Sequence, residues 1–200
     1  MRIPTAQIKE LREETGAGFL NCRQALEASN GDLEQAIAYL KEKGLDSVAI
    51  RVGRETNVGV LDLYSHGDGR IGVMVEVNCE TDFVARTEEF RKFAHEIALQ
   101  IAANSPQYVD KDDVPQERIA EENELARNWA LQEGTPEKAI DKIVEDRIQK
   151  FYKEKCLLVQ PYIRDDSKTV DQLKKELVGT VGENITIRRF MRWGVGEYSD

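Results

Sequence analysis

Through residues 58–79 apolar side chains recur at every second position, and on both sides of that stretch they recur at every third or fourth. A chain whose period switches from helix to strand and back within thirty residues cannot be an all-helical bundle or a sandwich. Val58, Val60, Asp62 and Tyr64 alternate with Gly59, Leu61 and Leu63. Past His66-Gly67-Asp68-Gly69 the alternation is cleaner, with Ile71, Val73, Val75, Val77 and Cys79 on one side and Gly72, Met74, Glu76 and Asn78 on the other. Two such runs around a Gly-Asp-Gly loop predict a β-hairpin. A late run, residues 184–193, predicts one more strand, with Ile185, Ile187, Met191 and Trp193 on one side and Arg188, Phe190 and Arg192 on the other. No βαβ alternation occurs, so the expected class is α+β: a small antiparallel sheet flanked by helices.

Helical period before the hairpin predicts three short helices. Thr5 is placed to cap the first, which carries Ile8 and Leu11. Thr15-Gly16-Ala17-Gly18 interrupts it. Asn21 with Gln24 reads as a capping box for the second, with Leu20 and Ala25 as a staple, and Asn30-Gly31 closes it. Asp32 caps the third, Leu33, Ala36, Ile37 and Leu40 line its inner face, and Lys41, Lys43 and Gly44 supply its end. Residues 45–54 read as a short helix or linker. The expected division is therefore a three-helix module at 1–54 and a core at 55–200. Within the core, Phe90, Phe93, Ala94, Ile97 and Ile101 predict a long helix stopped by Asn104-Ser105-Pro106. Two further helices follow to about Tyr152, Gln160-Pro161 breaks the chain, and Thr169 caps a last helix.

The search for chemistry is short. The chain of 200 residues has a formal net charge of -9, which repels phosphates and argues against non-specific nucleic-acid binding. No phosphate loop, nucleophile elbow or zinc-binding helix motif is present, and the carboxylates are spread over helices. Three separated cysteines and two histidines suit neither a zinc site nor a disulfide framework, so no cofactor or metal is expected. Free thiols suit a reducing cytosol. The first residues lead into a charged helix without an apolar signal core, and no long apolar run occurs, so a cytoplasmic protein without a membrane anchor is expected. One segment stands out: Glu80-Thr81-Asp82-Phe83-Val84-Ala85 puts an apolar pair in a strand-to-helix turn. Either Thr81 or Asp82 caps the helix while Phe83 folds back on the core, or Phe83 is an exposed wedge suited to a protein contact.

A set of motifs bears on that choice. They are Leu11-Arg12 with Thr15-Gly16-Ala17-Gly18, the Asn30-Gly31-Asp32 turn, the run from Val77 through Cys79, Thr81 and Phe83 to Ala85, Asn104-Ser105-Pro106-Gln107-Tyr108-Val109, Gln160-Pro161, and Gly182-Glu183-Asn184-Ile185 with Arg188-Arg189-Phe190. In this order, over nearly the whole chain, they resemble the bacterial elongation factor Ts family, the exchange factors of the GTPase elongation factor Tu. The resemblance implies a ubiquitin-associated-like three-helix module that packs on the partner's nucleotide-binding domain, and a core that reaches that domain and a more distal one. It implies that Thr81, Asp82, Phe83 and Val84 disturb the partner's magnesium and phosphate site, and that Arg12, Phe19, Leu20 and Arg23 are module contacts. Members of the family often carry two methionines where this chain has Phe19-Leu20. The chain is similar to the short form, with one core repeat and without the helical hairpin inserted in longer members. That form implies a homodimer through the core sheet, no nucleotide bound directly and no covalent chemistry. Two other classes compete: a non-exchanging adaptor that uses only the helical module, and a small thiol enzyme built on Cys79 near Asp82.

Overall fold

The computed structural model describes residues 3–15, 17, 19–51 and 53–197, and the side chains of these except 41 and 44–50. Three helices, α1 (Thr5–Thr15), α2 (Phe19–Ala28) and α3 (Leu33–Arg51), come first. Ile8 and Leu11 from α1, Cys22, Ala25 and Leu26 from α2 and Ala36 from α3 share one buried cluster. Asp32 caps α3 as expected, its carboxylate accepting from the Gln35 N–H at 2.9 Å. Asn30 and Gly31 turn the chain with φ of 52° and 85°.

Three expectations for this region need correction. Thr5 is the first helical residue, and the Ile8 N–H donates to the Pro4 carbonyl. Asn21 does not cap α2 but lies exposed in its first turn, and Leu20, 69% exposed, staples nothing. The helix begins earlier because the chain before it is gripped: the Ala17 N–H donates to Thr15 Oγ1, and Cys22 Sγ donates to the Ala17 carbonyl. Gly44 does not end α3, which continues to Arg51. Residues 45–51 hold no breaker, one interior glycine costs only about 1 kcal/mol, and the helix packs on the later helix Val170–Val181, the kind of contact that sustains helices in proteins. Gly53, at φ 94°, follows the helix end instead. The expected roles of Gly16, Gly18 and the Lys41 side chain lie outside the described residues.

The hairpin is β1 (Val58–His66) and β2 (Ile71–Cys79), paired antiparallel from Val58↔Cys79 to His66↔Ile71. The late strand, β5 (Thr186–Gly194), pairs antiparallel with β2 and gives the order β1-β2-β5. Its alternation is not continuous. Glu76 faces Arg189 but Val77 faces Ile187, so Arg188 is an extra residue, a β-bulge. Ile185 and Ile187 therefore share the inner side with Phe190, while Met191 and Trp193 point outward. Every Val and Cys of β2 on the inner face is buried against α5 (Glu88–Asn104) and α8 (Val170–Val181). Thr87 caps α5 and Thr169 caps α8, and Ser105 stops α5 at φ 47°.

Between α5 and α8 lies a pair of antiparallel helices, α6 (Gln116–Gln132) and α7 (Glu137–Lys155). The short-form resemblance implied a chain without an inserted helical hairpin; residues 116–155 nevertheless form a helix pair with its own small core of Ala126, Ala130, Ile140 and Val144. A two-stranded ribbon, β3 (Pro161–Tyr162) and β4 (Asp165–Thr169), follows. It is locked to α5 by a polar network. Gln100 Nε2 donates to Gln160 Oε1 and to the Pro161 carbonyl, and the Ile163 N–H donates to Gln100 Oε1 at 2.9 Å.

Glu96 completes this network, accepting from Tyr162 Oη at 2.7 Å and Arg164 Nε at 2.6 Å. Burial alone raises the Glu96 carboxyl, but the bonds from Arg164 and Tyr162 outweigh it and hold it below the ordinary range. A depressed carboxyl contributes stability above its unfolded pKa and loses it as pH falls through the folded value. Glu96→Gln is thus expected to lower the melting temperature by a few degrees at neutral pH, with the difference from the native chain vanishing in strong acid. Thermal melts of both chains from neutral to acid pH check this, and a difference that does not shrink would refute the assignment.

Candidate partner-binding site

The turn after β2 is a single helical turn, α4 (Asp82–Ala85). Thr81 caps it, its hydroxyl accepting from the Val84 N–H at 3.5 Å. Successive helical residues are about 100° apart, so neighbours on one turn face different ways. Val84 and Ala85 point inward and join the main core. Phe83 points outward and is 81% exposed. The alternative in which Phe83 folds back on the core is thereby excluded: the cap is there, but the aromatic is in solvent. Asp82 is exposed and pairs with Arg86 at 2.8 Å. Of the four residues expected in this site, Thr81, Asp82 and Phe83 are on the surface and Val84 is the anchor beneath them.

The turn is held from the far end of the chain. Gly182, at φ 77°, ends α8 in the left-handed region, where a side chain costs about 1 kcal/mol. The next residue, Glu183, reaches the turn. Its Oε2 accepts from the N–H groups of Glu80 at 3.1 Å and Thr81 at 3.0 Å, and its Oε1 accepts from the Thr81 hydroxyl at 2.6 Å. In return the Asn184 N–H donates to Glu80 Oε1 at 2.6 Å, and Arg54 lies 3.6 Å from Glu80 Oε2. Sequence reading found the Gly182-Glu183-Asn184 motif but no role for it, because its partners are 102 residues away.

Cys79 sits directly before this turn, fully buried, with its Sγ donating to the Thr81 carbonyl at 3.1 Å. Burial pushes its thiol up to about 11, so almost no thiolate exists at neutral pH. That removes the thiol-enzyme reading. Cys22 and Cys156 are also buried and unpaired.

Two other surfaces are open. On the helical module Arg12, Phe19, Leu20 and Arg23 are all exposed, Phe19 and Leu20 opening α2 and Arg23 one turn on, paired with Glu27 at 2.9 Å. On the core, the outer face of the sheet carries Leu61, Leu63, Met74, Met191 and Trp193, all exposed, in cross-strand rows such as Leu63-Met74-Met191. Glu76 and Arg189 form an ion pair within that face at 2.7 Å. Among the described residues no helix is long and apolar enough to cross a membrane.

A family profile described as Elongation factor TS matches residues 23–197. The chain is 55% identical over 197 residues to elongation factor Ts of Coprothermobacter proteolyticus, covering 98% of this chain and all of the relative. It is 57% identical over 195 residues to that of Caldanaerobacter subterraneus subsp. tengcongensis, covering 98% of each. With that of Acetivibrio thermocellus it shares 53% over 195 residues, 98% of this chain and 91% of the relative. The chain is a translation elongation factor and belongs to the elongation factor Ts family.

Proposed function

We propose that this protein binds elongation factor Tu in its GDP-bound and nucleotide-free states and promotes exchange of GDP for GTP, with no covalent chemistry and no nucleotide bound directly. The observation that carries the reading is Phe83: a large apolar side chain held in solvent on a helical turn whose backbone is fixed from two sides. A rigid exposed aromatic beside a carboxylate is the form of a hot spot. In the partner, Phe83 and Asp82, with Thr81 shaping the turn and Val84 anchoring it, disturb the magnesium and phosphate site. Magnesium neutralises phosphate charge, so its displacement weakens the hold on GDP. Linkage then requires that GDP weaken the factor's own binding by the same ratio.

Residues 1–54 serve as a ubiquitin-associated-like module that docks on the partner's nucleotide-binding domain, and 55–200 as the exchange and dimerisation core. Three unpaired, buried thiols support a cytoplasmic location. The active unit is a homodimer built on the outer face of the sheet. The test is release of a fluorescent GDP from purified elongation factor Tu. Strong acceleration by this protein is expected; binding without acceleration would leave an adaptor and overturn the reading. Within the same assay, Leu20→Asp is expected to raise the factor concentration needed for half-maximal release by about fivefold, the size of an interface contact worth ~1 kcal/mol. Because Leu20 lies outside the core, the maximal rate is expected to stay unchanged. An unaltered concentration dependence would remove Leu20 from the contact.

A further inference from the structure

We propose that Glu183 is a positioning residue for exchange: its carboxylate holds the β2–α4 turn in the shape that presents Phe83, so that the end of α8 sets how well the wedge works. This rests on the reading of Phe83 as the exchange element. A four-residue helix cannot persist by itself, since nucleating one turn is unfavourable. Something outside it must hold the backbone. Val84 and Ala85 anchor one side in the core. The other side is exposed, and there Glu183 engages three donors with one carboxylate.

The bond to Thr81 does more than tether. A hydroxyl has one proton and two lone pairs. With its proton committed to Glu183, the Thr81 oxygen turns a lone pair towards the Val84 N–H, which it accepts. Glu183 therefore orients the cap of the very turn that carries Phe83. The charge matters as well as the shape. An ionised carboxylate is acceptor-only and satisfies donors at both oxygens, and bonds to an ionised acceptor are about twice as strong as neutral ones. A glutamine at this place has one acceptor oxygen and one donor group. Turned with its oxygen to the two backbone N–H groups, its amide can only donate to Thr81, whose proton then loses the acceptor that orients it; turned the other way, the two backbone N–H groups meet a donor. The reciprocal bond from the Asn184 N–H to Glu80 ties the loop to the turn a second time, so removal of the carboxylate loosens the turn without detaching it.

The experiment is a double-mutant cycle in the GDP-release assay with Glu183→Gln, Phe83→Ala and the pair. If Glu183 acts through the wedge, Glu183→Gln is expected to slow maximal stimulated release by about fivefold in the native background and by less than about 1.5-fold when Phe83 is already alanine. The factor concentration at half-maximal release is expected to move much less than the rate. A general loss of structure would instead slow both backgrounds alike. Native exchange by Glu183→Gln overturns the proposal, as does an equal slowing in both backgrounds. Native exchange by Phe83→Ala alone is a different result: it sinks the wedge reading, and the positioning role with it. Should Glu183→Gln fold poorly, Thr81→Val removes the hydroxyl that the carboxylate orients, keeps the side-chain shape, and is run through the same cycle with the same expected pattern.

Discussion

Phe83→Ala is expected to slow stimulated GDP release from elongation factor Tu by about ten- to a hundredfold, because burying a phenylalanine in a partner supplies ~1.5–3 kcal/mol and each decade of loosened nucleotide takes ~1.4 kcal/mol. Phe83 is already in solvent in the free protein, so its loss leaves no cavity and the fold is expected to be unaffected. That separates this substitution from Val84→Ala, one residue on, which opens the core beneath the turn. The estimate also sets a ceiling. If exchange is accelerated by many decades, one aromatic cannot supply it alone, and Asp82 and the remaining core contacts must contribute the remainder. Stopped-flow release with a melting curve for each variant checks this. A folded Phe83→Ala chain that exchanges at the native rate refutes the wedge.

The second large effect concerns assembly. The native chain is expected to sediment as a dimer across a micromolar range, and Leu63→Asp with Trp193→Asp to raise the dimer dissociation constant by at least a hundredfold. The outer face joins Leu61, Leu63, Met74, Met191 and Trp193 across all three strands, and the chain's own helices lie on the other face. A contact between two copies of one face is isologous, so each substitution occurs twice in the interface. Two buried apolar side chains lost per copy, each worth ~1.5–3 kcal/mol, exceed the ~2.8 kcal/mol that a hundredfold change requires. Both residues are on the surface of a single chain, so the monomer is expected to keep its fold. Sedimentation equilibrium decides: a native chain that is strictly monomeric there refutes the dimer, and one copy must then engage the partner unaided.

How much of this was legible in the sequence depended on how local its cause was. The hairpin register followed from alternation and a glycine turn, and the caps at Asp32 and Thr169 from side chains that act within three residues. What failed was what periodicity cannot see. The bulge at Arg188 inserts one residue without changing composition, and it moved Met191 and Trp193 to the opposite face from Ile187. Gly44 has the chemistry of a helix end but lies in a segment with nothing else to stop it. The ribbon β3–β4 has a strand of two residues, too short to alternate, and depends on two buried polar residues, Gln100 within the apolar stripe of α5 and Gln160 just before β3. For the candidate site, residue types left the orientation of Phe83 open and only the resemblance favoured a wedge; the grip of Glu183 spans half the chain and no local pattern announces it.

The α6–α7 pair has a consequence for how such a chain can change over time. Its inner residues pack on each other, and its packing on the rest of the protein is confined to the base, where Phe151 meets Val114 and Cys156. Among the described residues, no buried cluster joins its outer end to the sheet or to the Phe83 turn. Insertions or losses made in matched turns on both helices would therefore be absorbed within the pair, leaving the Phe83 turn where it was. In evolutionary terms this arm is free to drift in length and in the character of its exposed outer faces, Leu125 and Trp129 included, while the sheet is held in register.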